Sequence, residues 1–268
     1  MEIQNAVKKI KLYLFDMDGT LYLGDNLFDF TKELLLAIKQ SGGDYLFMTN
    51  NSSKSVKDYV LKLEKLGIKA TEEDFITSSM ATSYYLKQNH NNSRVYVCGT
   101  QSLKDEFIKD GFTVTENIED TDCIVLGFDT ELTFKKLQDI SKMLCTRDLP
   151  YIATNPDYVC PTEFGSVPDC GSVADMLYNA TGKRPIFIGK PEPLMPRLAM
   201  QMMNVTPEET AVVGDRIYTD IKSGINSGCV SILVMSGETT YEILNNSPEK
   251  PDIVIESVEE ILKAIKNV

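Results

Sequence analysis

The stretch 11–21, K-L-Y-L-F-D-M-D-G-T-L, constrains the chain more than any other. Leu12, Tyr13, Leu14 and Phe15 are a short, β-prone apolar run of the kind that becomes a buried strand. The run stops in two carboxylates, Asp16 and Asp18, and then Gly19, which reaches backbone angles other residues avoid. Residues two apart in an extended chain project to the same side. Asp16 and Asp18 are therefore expected to leave the strand's C-terminal edge together, where open α/β sheets place their ligands. A lone D-x-D is explained well enough by a helix cap and a solvated acid. D-x-D-G-T directly after an apolar strand is far more specific, and its functional reading leads.

The rest of the chain repeats this grammar. A helix is expected over 30–40, with Leu34, Leu35 and Ile38 on one face. A second strand, 45–48, ends in Thr49, Asn50, Asn51, Ser52 and Ser53. These small polar residues suit the cap of a helix over 56–66, whose N-terminal amides and dipole favour an anion. Residues 75–78 read as another short strand. From about Ser83 a new alternation begins, with strands over 94–98, 123–127 and 151–153 and helices over 102–109, 133–144 and 172–180. It predicts a second parallel α/β unit, giving a core over 1–82, an insert over 83–181 and a returning core over 182–268. The return is marked by 186–188 and then G-K-P-E-P, whose prolines suit a first helical turn and put Lys190 at a strand–helix junction. A strand over 210–213 ends in G-D-R-I-Y-T-D, so Asp215 is a second acidic strand tip, with Asp220 near the next helix. Strands over 231–235 and 252–255 and a helix over 258–266 finish the chain.

Composition excludes several function classes. The 268 residues suffice for two domains, and 43% hydrophobic with 25% charged residues is a soluble globular composition. The net charge is −12, from 39 acids against 27 bases. No Lys/Arg cluster tracks a phosphate backbone, so neither nucleic acid nor an anionic membrane is an expected partner. No apolar run approaches the roughly 18 residues of a membrane span, and no apolar signal core precedes the first strand, so the expected address is the cytoplasm. The six cysteines never form C-x-x-C, and His90 is the single histidine. That is no zinc set, which leaves oxygen ligands for any metal.

Four strand tips thus carry D-M-D-G-T, T-N-N, G-K-P and G-D-R-I-Y-T-D, in that order. This resembles the haloacid dehalogenase superfamily of phosphohydrolases over essentially the whole chain. The long interval between Asn51 and Lys190 has room for a large cap. Within it A-T-N-P-D (153–157), P-T-E (161–163) and G-S (171–172) look like the type IIA branch, which holds the NagD-like and p-nitrophenyl phosphatases. The resemblance implies an α/β fold: a doubly wound, Rossmann-like parallel-sheet core with a large inserted α/β cap. Phe164 and the Asp169-Cys170 pair depart from the relatives in a segment expected to face substrate, so specificity stays open.

By the same resemblance Asp16 is the nucleophile that forms an aspartyl phosphate, and Asp18 protonates the leaving group and later activates water. Mg²⁺ is the implied cofactor, held by Asp16, the backbone carbonyl of Asp18 and Asp215, with Asp220 close by, directly or through water. Thr49 and the amides near Asn50 and Asn51 would grip the phosphate, with Lys190 neutralising it. The implied substrate is a small phosphorylated metabolite such as a sugar phosphate or nucleotide, and caps of this type often pair in homodimers. An acid at Asp18 argues for phosphoryl chemistry, because dehalogenase branches lack one there. Two alternatives remain at this point. A phosphotransferase to a small alcohol would differ only in the acceptor. A phospho-accepting signalling module also clusters Asp, Thr and Lys at strand tips, but it would leave the insert without a purpose.

Overall fold

In the computed structural model, which describes residues 2–267, the run Leu12–Phe15 is a strand (β1) buried on both faces. It lies inside a six-stranded sheet with Asp44–Thr49 (β2), Phe75–Thr77 (β3), Thr210–Gly214 (β4), Val230–Val234 (β5) and Ile253–Ile255 (β6), in the order β6-β5-β4-β1-β2-β3. The ladders on β1, β4 and β5 are parallel, with Leu14 opposite Val212 on one side and Leu46 on the other. Parallel strands covered on both faces read as continuous apolar runs, which is why L-Y-L-F and T-A-V-V-G were legible as strands. Helices supply the cover: Thr31–Gln40 packs on Glu259–Lys266, and Leu194–Met203 packs on Lys222–Ser227. The chain winds outward from β1 to β2 and β3, and later resumes on the other flank at β4. The winding therefore reverses between β1 and β4, and ligands of such sheets bind in the crevice at that reversal.

The chain divides into two compact units. The first takes the residues through Thr49, Val60–Ile76, and everything from Lys190 onward; the second is Asn50–Tyr59 with Thr77–Gly189. The second unit has its own parallel sheet, in the order Ile186–Phe187, Tyr151–Ala153, Cys123–Leu126, Arg94–Cys98, Thr113–Val114. Its core gathers Cys98, Ile124, Leu126, Ile140, Ala153, Cys170 and Leu177. The fold class is the α/β architecture that the sequence implies. Among the described residues no helix is long and apolar enough to cross a membrane.

Several details depart from the sequence reading. Ile186–Phe187 was expected with the returning core strands, yet it pairs with Tyr151–Ala153 in the second sheet, Ile186 opposite Ile152. A two-residue ladder carries too little pattern to announce which sheet edge it will join. A helix over Ser78–Asn89 was not foreseen, because its buried face is made of Ser78, Ser79, Ala81, Thr82 and Ser83 with Leu86 as its one large apolar residue, too few to show a helical period. Thr77 was the available sign: its side chain caps the helix by accepting from Met80 N at 3.1 Å. Asp169 and Cys170 were expected to face substrate. Both are buried, Asp169 capping the helix Cys170–Thr181 and Cys170 in the core of the second unit.

Candidate active site

The ends of β1 and β4 bring the first acids together. Asp16 extends their ladder by one bond, its N–H donating to Val213 O at 2.8 Å, and Asp215 directly follows Gly214 at the tip of β4. Beyond Asp215 the chain makes a wide turn over Ile217–Ile221, with Ile221 N donating to Arg216 O at 3.2 Å, and this returns Asp220 toward the strand tip. Its Oδ2 accepts from Arg216 N at 3.1 Å. Lys190 closes the group. Its Nζ donates to Asp16 Oδ1 at 2.7 Å, Asp220 Oδ1 at 2.6 Å and Met48 O at 3.2 Å.

Burial makes this arrangement electrostatically tense. Desolvation, and then the charges of Asp16 and Asp220, push the Asp215 carboxyl up to about 7. Desolvation also raises Asp220, to about 6, against the opposing pull of Lys190. For Lys190 burial works toward the neutral amine, but Asp16 and Asp220 outweigh it and the ammonium is held above its ordinary range. Three crowded carboxylates face Lys190 and Arg216, and because Arg216 is itself paired with Glu238 at 2.7 Å the site stays short of positive charge.

A divalent cation fits that deficit. Asp16, Asp215 and Asp220 each offer an oxygen within 4.8 Å of the others, an all-oxygen set of the kind that hard cations such as Mg²⁺ take. Asp215 Oδ1 is buried with no hydrogen-bond partner, a lone pair that costs free energy unless something positive meets it. Both oxygens of Asp220 are already engaged, by Lys190 and by Arg216 N. The set therefore favours Asp16 and Asp215 as direct ligands and Asp220 as a supporting acid.

The raised carboxyls give a pH test. A carboxylate whose folded-state pKa is raised contributes stability that is full below its unfolded pKa and is lost as pH rises through the folded value. Between about pH 4 and 7 Asp215 and Asp220 should thus progressively weaken the metal-free protein, and a cation that competes with those protons should help most where they are absent. The melting-temperature gain from saturating Mg²⁺ is expected to be larger at about pH 8 than at about pH 5.5. An equal or greater gain at the lower pH would contradict this account of the acid cluster.

The other expected residues fall as follows. The Asp18 carboxylate lies outside the trio: Oδ1 accepts from Gly24 N at 3.3 Å and Oδ2 lies 4.0 Å from Lys62 Nζ. Thr49 is the last residue of β2, the neighbour of β1, and is buried. Asn50 and Asn51 belong to the second unit. There the Asn50 side chain donates to both carboxylate oxygens of Asp157, at 3.3 and 3.1 Å, and Asn51 Oδ1 accepts from Ser53 N at 2.9 Å.

The expected helix cap is corrected by the structure. The helix Val56–Lys65 begins past the 49–53 segment, with Ser55 and Asp58 bonded reciprocally at its start. Its first amide donates to Glu106 Oε1 at 3.1 Å. Protein carboxylates already occupy that helix end, so any hold on an anion by residues 49–51 does not draw on its dipole. Residues the sequence reading passed over include Lys62 beside Asp18, Arg216 between the two acids of its motif, and Asp157 on Asn50. Asp157 lay within a quoted segment, A-T-N-P-D, but nothing in its spacing announced Asn50 as its partner.

Comparison with known proteins gives a consistent picture. A family model described as haloacid dehalogenase-like hydrolase matches residues 13–113, and a second, HAD-hydrolase-like, matches 187–261. The chain is 37% identical to the 5'-nucleotidase YutF of Bacillus subtilis over 95% of this chain and 98% of that one. It is 33% identical to an acid sugar phosphatase of Staphylococcus aureus, over 97% and 100% of the two chains. Among solved structures, the 4-nitrophenylphosphatase of Thermotoga maritima superposes with a TM-score of 0.92 at 39% identity, over 97% of this chain and 99% of that one. NagD of E. coli K-12 gives 0.86 at 29% identity, over 94% and 98%.

Proposed function

Because this chain belongs to the haloacid dehalogenase-like hydrolase family, in its NagD-like branch, we propose that it hydrolyses small phosphate monoesters with Mg²⁺ through an aspartyl-phosphate intermediate on Asp16. It is a phosphoric monoester hydrolase. Its relatives' names, a nucleotidase, a sugar phosphatase and nitrophenyl phosphatases, favour nucleoside monophosphates and sugar phosphates as the substrate class.

The observation that carries the mechanism is the buried Lys190 bridging Asp16 and Asp220 beside Asp215. A phosphate dianion repels nucleophiles, so the protein must cancel its charge and aim an oxygen in line with the leaving group. Lys190 pins Asp16 by Oδ1, which leaves Oδ2 for attack on phosphorus. A Mg²⁺ held by Asp16 and Asp215, with Asp220 in support, would neutralise the phosphate oxygens. Thr49 at the tip of β2 would donate its hydroxyl to the phosphate. Lys190 would add its charge as the ester arrives. The proposed hold by Asn50 and Asn51 rests on the family resemblance.

Asp18 stands apart from the buried acids and is largely exposed, so it would be free to give a proton to the leaving alkoxide and later take one from water. Substituting Asn there removes a group typically worth about 10²–10⁴-fold. Esters with good leaving groups need little protonation, so Asp18→Asn should slow phosphorylation by a sugar phosphate far more than by p-nitrophenyl phosphate. Equal losses on both esters in single-turnover kinetics would argue against Asp18 as the acid. The test of the whole reading is multiple-turnover release of inorganic phosphate from a panel of nucleoside monophosphates, sugar phosphates and p-nitrophenyl phosphate, with and without Mg²⁺. A single burst equal to the enzyme present, with no turnover on any ester, would contradict it.

A further inference from the structure

The segment 236–239, S-G-E-T, follows β5 and contains none of the motifs so far assigned a role. It wraps around Asp215. The Glu238 N–H donates to Asp215 Oδ2 at 2.6 Å, and the Thr239 N–H donates to the Asp215 carbonyl at 3.2 Å. Ser236 Oγ donates to Gly19 O at 2.7 Å, tying the segment to the D-x-D-G turn as well.

Two glycines make this approach sterically possible. A Cβ on Gly237 would stand 2.0 Å from Asp215 Oδ2, and one on Gly19, whose φ is +82°, would stand 2.5 Å from the same oxygen. Any side chain at either position would displace the carboxylate. Asp215 Oδ2 is thus walled in and hydrogen-bonded, while Oδ1 is the buried oxygen left without a partner.

The segment is itself fastened by the Glu238 side chain. Its Oε2 lies 2.7 Å from Arg216 Nε, and its Oε1 accepts from Tyr218 OH at 2.7 Å. Arg216 and Tyr218 lie on the short stretch that runs from Asp215 to Asp220. The loop is therefore tied to the same piece of chain whose acid it holds.

We propose that residues 236–239 form a clamp that commits one oxygen of Asp215 to the protein and presents the other to the cation. In it Glu238 is a positioning residue, fixing the clamp through Arg216 and Tyr218. The proposal rests on reading Asp215 as a metal ligand. Groups that orient a ligand in this indirect way typically contribute about 10–100-fold to metal affinity.

The test is calorimetric titration of Mg²⁺ into the full-length protein without substrate, with melting curves in parallel. Glu238→Ala is expected to weaken Mg²⁺ binding by about 10-fold or more, and to move the Mg²⁺ concentration giving half the thermal shift up by the same factor. Glu238→Gln keeps one acceptor oxygen, for Arg216, and its amide N–H can donate to the Tyr218 hydroxyl oxygen, so it should bind Mg²⁺ more tightly than Glu238→Ala does. The melting temperature without metal should change little, because the Arg216 pair is partly exposed and such pairs add little stability. Gly237→Ala, which pushes on Asp215 directly, should weaken binding more than Glu238→Ala does. Wild-type affinity in Glu238→Ala would overturn the clamp, and so would a lower metal-free melting temperature with Mg²⁺ affinity intact. A wild-type protein that binds no Mg²⁺ would instead sink the metal reading of Asp215 itself.

Discussion

Asp16→Asn is expected to remove turnover, by about a thousandfold or more, while the fold survives. Asn has the shape of Asp, and Lys190 keeps its 2.6 Å partner Asp220, so the buried lysine is not stranded. What is lost is chemical. An amide oxygen is a poor nucleophile, cannot carry the phosphoryl group as an acyl phosphate, and is a weaker metal ligand than a carboxylate. Circular dichroism and the melting curve should match wild type. Activity above about a thousandth of wild type, in a preparation cleared of contaminating phosphatase, would contradict the role given to Asp16.

Lys190→Met should be nearly as damaging to activity and far worse for stability. Lys190 is buried and, among the described residues, is the cation bonded to both Asp16 and Asp220. Removing one partner of a buried ion pair typically costs about 3–5 kcal/mol, because the remaining charge is left without compensation. The carboxylates left behind would then hold protons more tightly than they do beside lysine, so the folded variant binds more protons than the unfolded chain. Stability that depends on bound protons is lost as pH rises. The deficit of Lys190→Met relative to wild type should therefore narrow as pH falls from about 8 to about 5.5, and urea melts at the two pH values would show it. A deficit that widened toward acid would mean the lysine is not there to offset the acids.

The sequence was most readable where one physical demand dominated. β1 and the middle of β4 had to be apolar because both faces are covered, so the acids at their ends, Asp16 and Asp215, stood out. Lys190 was visible through the prolines after it, although the strand before it pairs in the other sheet. Readability failed where small residues or backbone atoms do the work. The helix Ser78–Asn89 buries serine, alanine and threonine with a single leucine, Leu86, which sets no apolar period. The segment 236–239 acts on Asp215 through two N–H groups and a glycine, none of which leaves a motif in a single sequence. The cap of Val56–Lys65 was misplaced for a different reason: residues 49–53 offer several side chains able to cap, but the local box S-V-K-D (55–58), legible in the sequence, is the one that caps it.

The central claim is that the phosphoryl group passes through Asp16, and the stereochemical course at phosphorus tests it most directly. A phosphorothioate monoester made chiral with oxygen isotopes would be hydrolysed in isotopically labelled water, and the configuration of the product determined. Two in-line displacements, first by Asp16 and then by water, each invert phosphorus, so the account predicts overall retention. Net inversion would mean that water attacks the ester in a single step, and that Asp16 is not the nucleophile.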